Sequence, residues 1–279
     1  MEELIFIKEL VDTIRIINNL PRSGGTIISK CLGAQNDIVL LSEIHPQGTK
    51  IRESMKIKDF YGDPMFQAQE WYSLFYKSDK EKTYNLNYDF EKKIDLIFEK
   101  TVLLNKKLII RDWAFVDYFG KPFIDPTYKN SLLDLLNKKY KVLNFHILRH
   151  PLELYVSCFK SLNFFKEHYK FDFFLKGYRN FFLDAIKGNV CKYENFLLKP
   201  EKCLKNMCDF LDIDYDNNYL TKLKNIKLTG DNKAINSIEI DNNKNVAQNL
   251  IKKEDKAKIY NHAEFIKLMH NLKDYYQNE

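Results

Sequence analysis

A buried strand that runs through a glycine turn into a helix constrains this chain more than any other feature. Residues 14–43 read IRIINNLPRSGGTIISKCLGAQNDIVLLSE. The apolar run Ile14–Asn19 predicts a strand, Thr26–Leu32 a helix and Ile38–Leu41 a second strand. Between the first two lies Pro21-Arg22-Ser23-Gly24-Gly25-Thr26. At such a junction the first backbone N–H groups of the helix have no helical partner, and the helix dipole favours negative charge. Gly24 and Gly25 let an oxyanion approach the backbone closely, Arg22 adds a fixed positive charge, and Ser23 and Thr26 add hydroxyl donors. A phosphate is expected on the stretch Arg22–Ile27.

The loop is neither of the two common nucleotide loops. A Walker A loop needs a lysine directly after its last glycine, and here Gly25 is followed by Thr26-Ile27-Ile28. The G-x-G-x-x-G spacing of dinucleotide sites is missing as well. Further apolar runs at Lys107–Ile110, Val142–Leu148 and Asn189–Lys192 are rich in Val, Ile and Leu and lack strict alternation. They predict strands of a mostly parallel sheet covered by helices on both faces. Helices are expected at Glu153–Leu162, at Glu201–Leu211 after Pro200, and near the C-terminus at about Lys253–Leu272. Two aromatic-rich stretches, Glu70–Phe90 and Phe164–Phe182, interrupt this α/β rhythm. They serve either as core-facing helix faces or as the wall of an acceptor cleft.

The chain has 279 residues and reads as one α/β domain, residues 1–279, with helical insertions at about 46–106 and 160–188. Its net charge of +6 is spread along the sequence rather than gathered in a stripe, which argues against a nucleic-acid partner. No apolar run approaches the length of a membrane span, and the N-terminal residues lack the pattern of a signal peptide. The five cysteines form neither CxxC pairs nor clusters with histidine, so reduced thiols, a cytoplasmic location and no structural metal are expected.

Three motifs share one resemblance. The loop P-R-S-G-x-T resembles the 5′-phosphosulfate loop of sulfotransferases that use 3′-phosphoadenosine 5′-phosphosulfate (PAPS). The stretch His146–Ser157 ends a strand, turns at Pro151 and enters a helix, with Ser157 eight positions after Arg149. It resembles that family's 3′-phosphate motif, which implies that Arg149 and Ser157 bind the 3′-phosphate. Lys192-Tyr193-Glu194, followed by Pro200-Glu201 and Phe210-Leu211, resembles a third family segment and implies that Tyr193 lies near the adenine. The resemblance spans residues 14 to about 212 and implies a P-loop-like fold with PAPS as co-substrate and no metal. In place of a late R-K-G-x-x-G-x-W loop this chain has Leu228-Thr229-Gly230-Asp231-Asn232-Lys233, where Lys233 is a candidate substitute.

Sulfuryl transfer needs positive charge on the leaving phosphate and a general base for the acceptor. Arg22 is expected to supply the charge. Glu43, at the end of the second strand and 21 positions after Arg22, is the expected base; tyrosylprotein sulfotransferases resemble this chain in that spacing. His45 is the alternative base. Arg111 and Asp112 end another strand and either bind acceptor or form an ion pair. The acceptor class is open: sugar, small molecule, lipid or peptide. Two other readings remain, a P-loop kinase with a degenerate loop and a nucleotide-binding protein without catalysis.

Overall fold

The computed structural model describes residues 13–54, 60–75, 88–168, 170–230, 257 and 259–277. Five strands form one parallel sheet: β1 (Thr13–Asn19), β2 (Ile38–Ile44), β3 (Lys107–Asp112), β4 (Lys141–Leu148) and β5 (Asn189–Lys192). Their spatial order is β2-β3-β1-β4-β5. Parallel neighbours require crossovers, and helices supply them. Gly25–Gly33 carries the chain from β1 to β2, and Phe90–Leu103 lies between β2 and β3.

The period of two along each strand sorts the core. Ile17, Leu40, Ile109, Phe145 and Ile147 pack under Gly25–Gly33 and Pro200–Phe210, through Ile28, Leu32, Leu204 and Met207. Ile14, Ile16, Val39, Leu41, Leu108 and Ile110 pack on the other face against Ile94, Ile97 and Phe98. A third cluster joins the helices Pro151–Ser161, Phe171–Ala185 and Ala263–Gln277 beyond the end of β4.

The aromatic stretches resolve mainly as core. Phe165, Phe174, Tyr178, Phe181 and Phe182 are buried in that third cluster. In the earlier stretch Phe75 is buried and the Tyr72 hydroxyl donates to the Leu40 carbonyl at 2.9 Å, while Tyr76 and Tyr84 lie outside the described residues. So do Tyr169 and residues 253–256 of the expected C-terminal helix, which runs at Ala263–Gln277. Among the described residues no helix is long and apolar enough to cross a membrane, and no group of three or more His, Cys, Asp or Glu is placed to hold a metal.

Candidate functional site

Five parallel strands end on one edge, and most of the predicted site residues lie along it. In open α/β sheets that edge is where ligands bind. Pro21–Ile27 follows β1, Arg149 follows β4 and Tyr193 follows β5, while Glu43 and Arg111 stand at the ends of β2 and β3. Together with Asn19, Trp113, Phe115, Phe123 and Gly230 they, Ser23 excepted, line a cleft of about 450 Å³.

The glycine turn is built as an anion cradle. Ser23 N and Oγ both bond the Leu20 carbonyl, at 3.2 and 2.7 Å. The Ser23 side chain is therefore buried and closes the turn rather than facing the cleft. Arg22 and Gly24 both have positive φ, 65° and 86°. Gly24 is the N-cap of Gly25–Gly33, with no side-chain cap and no acidic residue in the first turn, so the positive helix end is not neutralised. A methyl at Gly24 would overlap the Tyr193 ring, and one at Gly25 would overlap the Asn19 amide. Both positions need glycine for space, and Gly24 needs it for its backbone as well.

The second motif meets the first. Arg149 Nη1 donates to the Arg22 carbonyl at 2.8 Å, and Arg22 Nε donates to Ser157 Oγ at 3.2 Å. The Arg149 guanidinium also lies 5.2 Å from the centroid of the Tyr193 ring. Its backbone carbonyl accepts from Tyr178 at 2.8 Å, and Glu194 accepts from His150 N at 2.9 Å, which holds the turn into Pro151–Ser161. Arg22, Arg149, Ser157 and Tyr193, far apart in the chain, thus form one cluster.

Glu43 owes its direction to a β-bulge. Ser42 pairs with Arg111 and Ile44 with Asp112, so Glu43 is an extra residue in the ladder, with φ 55°. Simple alternation would turn Glu43 to the face that Leu41 occupies. The bulge returns Ile44 to that core and sends Glu43 to the cleft. Its Oε1 accepts from Arg111 Nη2 at 2.8 Å, and Arg111 Nη1 donates to Thr26 Oγ1 at 3.4 Å. Burial pushes the Arg111 guanidinium pKa down, and the Glu43 charge opposes that shift. The expected ion-pair alternative for Arg111 is therefore formed, within the cleft lining.

His45 points elsewhere. Its ring is buried, Nε2 lies 3.3 Å from Asp117 Oδ2, and Nδ1 accepts from Gln47 N at 3.1 Å. It is not among the side chains that line the cleft, whereas Glu43 is. Asp112 does line it; burial, with Asp117 nearby, raises the pKa of its carboxyl well above the usual range.

Several lining residues were not singled out from sequence. Trp113, Phe115 and Phe123 form an aromatic wall, with the first two rings 6.1 Å apart and stacked. Trp113 directly follows the strand-end pair Arg111-Asp112, the one local hint of its place. The late segment also returns here. Thr229 Oγ1 and Ser42 Oγ are 2.8 Å apart, and Gly230 (φ 75°) lines the cleft next to Glu43 and Thr26. Lys233 lies outside the described residues.

Neither a family model nor a curated protein matches this chain. Solved structures do. The sulfotransferase domain from the curacin biosynthetic pathway covers 93% of this chain and 97% of its own, at 15% identity and a TM-score of 0.58. The sulfotransferase domain of the olefin synthase of Synechococcus PCC 7002 covers 75% of this chain and 76% of its own, at 17% identity and a TM-score of 0.56. The protein has a sulfotransferase-like fold: one parallel five-stranded sheet between layers of helices.

Proposed function

We propose that this protein is a sulfotransferase that uses PAPS and releases adenosine 3′,5′-bisphosphate. One observation carries the reading. The Arg22 loop and Arg149 share a single cleft, joined at 2.8 Å, and Glu43 stands at the same cleft beyond Thr26. Two cationic positions on adjacent strand ends fit a nucleotide charged at both its 3′ and 5′ positions. The glycine cradle fits the 5′ end, and Tyr193 supplies a ring for the base.

The donor supplies the sulfuryl group: the bond from sulfur to the acceptor atom forms as the bond from sulfur to the phosphate oxygen breaks. Glu43 takes the proton from the acceptor hydroxyl or amine. Arg22 and the amides of Gly24–Thr26 hold the charge that develops on the departing phosphate. The Arg149–Ser157 side of the cluster anchors the 3′-phosphate. Trp113, Phe115, Phe123 and Leu162 line the remaining wall, which suits an acceptor with an apolar or flat face.

A thermal-shift comparison tests this. Adenosine 3′,5′-bisphosphate raises the melting temperature well above the shift given by ADP at equal concentration. Equal shifts would remove the case for a 3′-phosphate pocket. A shift by ADP that requires magnesium would favour the kinase reading instead.

A further inference from the structure

Glu43 is held between two arginines, and only one of them lines the cleft. Oε1 is bonded to Arg111, while Oε2 lies 3.6 Å from Arg52 Nη2. Arg52 belongs to the helix Gly48–Ser54, outside the cleft lining, and its side chain is 12% exposed. Its guanidinium carbon sits 4.7 Å from the centroid of the Trp113 ring, and Trp113 is part of the acceptor wall. On its way there Arg52 crosses Gly62. A methyl on Gly62 would overlap Arg52 Nε and Cδ and come 2.6 Å from Cζ. Gly62 lacks the positive φ that would call for glycine on backbone grounds. It is glycine because an arginine occupies the space of its side chain.

We infer that Gly62 and Arg52 form a positioning device for the acceptor half of the site: Gly62 opens a channel, and Arg52 lies through it to orient both the Glu43 carboxylate and the Trp113 ring. The inference rests on the proposed role of Glu43 as base. A long, partly exposed ion pair contributes little to stability, so the value of Arg52 lies in geometry. A carboxylate on a left-handed bulge residue, anchored at one oxygen, can pivot about that anchor; a second cation at the other oxygen limits the pivot. Misplacement of a reacting group by about 1 Å costs on the order of 100-fold in rate. Among the described residues, the charged groups that pair with Glu43 or share its cleft are Arg111 and Asp112 from β3, Arg52 from Gly48–Ser54 and, further along the cleft, Arg22 and Arg149.

The test uses Gly62→Ala, Arg52→Met, Arg52→Lys and the double variant Gly62→Ala/Arg52→Met. Each is made in a Trp71→Phe background, so that Trp113 alone reports by fluorescence. Binding of adenosine 3′,5′-bisphosphate and transfer from PAPS to 4-nitrophenol are also measured. Gly62→Ala and Arg52→Met change Trp113 emission in the same direction and leave bisphosphate affinity unchanged. Both lower kcat by about 100-fold without raising the KM for PAPS. Arg52→Lys restores part of the rate, and the double variant is no worse than Arg52→Met alone, because both changes remove one side chain from one place. Wild-type emission and kcat in Gly62→Ala would overturn the inference, as would losses that multiply in the double variant. If the parent protein bound no bisphosphate and transferred nothing, the sulfotransferase reading would fall. The emission of Gly62→Ala against Arg52→Met would still decide whether the device exists.

Discussion

Replacing Arg149 by alanine separates recognition of the 3′-phosphate from binding of the nucleotide in general. Arg149 bonds the Arg22 carbonyl at 2.8 Å and lies 5.2 Å over Tyr193, so its guanidinium is already aimed into the cleft. A hydrogen bond from the charged guanidinium to the 3′-phosphate is worth about 1.5–3 kcal/mol. Removing it costs up to about 3 kcal/mol of bisphosphate binding, which is roughly 100-fold in Kd at 1.4 kcal/mol per tenfold. The ion pair with Glu153 adds little to the fold, because it is long, at 3.6 Å, and partly exposed. Titration calorimetry with adenosine 3′,5′-bisphosphate and with adenosine 5′-phosphate measures both terms. The bisphosphate weakens by about 100-fold and the monophosphate by less than about tenfold. Equal losses for the two ligands would refute the assignment, because Arg149 would then act only by bracing the Arg22 loop.

Three further outcomes are expected. Gly24→Ala forces a side chain into φ 86° and onto the Tyr193 ring, so it lowers stability by about 1–2 kcal/mol in chemical denaturation and abolishes detectable bisphosphate binding. Glu43→Gln leaves bisphosphate affinity nearly intact in the same calorimetric titration and lowers kcat by about 10² to 10⁴ in a transfer assay with PAPS. His146 is buried beside Phe181, and burial pushes its pKa down to about 4, below the ordinary 6.5 of the unfolded chain. Its neutral form is favoured in the fold, so as pH falls from about 6.5 to about 4 the unfolded chain takes up the proton first and the protein loses about 3 kcal/mol. His146→Gln removes that loss, so the difference in urea stability between it and the parent narrows as pH drops; a constant difference would contradict the assignment.

The sheet and the half of the cleft around the glycine turn are legible in the sequence because their signals are local. Apolar runs marked all five strands, with β2 and β3 extending two to three residues further than expected. Gly24, Gly25 and Pro151 marked where strands turn into helices. A parallel sheet brings all its strand ends to one edge, so Arg22, Arg149 and Tyr193 had to emerge on the same side. The half around Glu43 depends on register and on contacts between distant segments, which no local pattern encodes. A single extra residue in the β2 ladder turns Glu43 toward the cleft, while His45, two residues on, is drawn to Asp117. The spacing of Glu43 from Arg22 is written in the chain, but the side it faces is decided by which residue of β3 it stands against. Arg52 across Gly62, the wall at Trp113 and Phe123, and the return of Thr229 to Ser42 are set by tertiary packing alone, for a side chain can fill a space only after other elements have enclosed it.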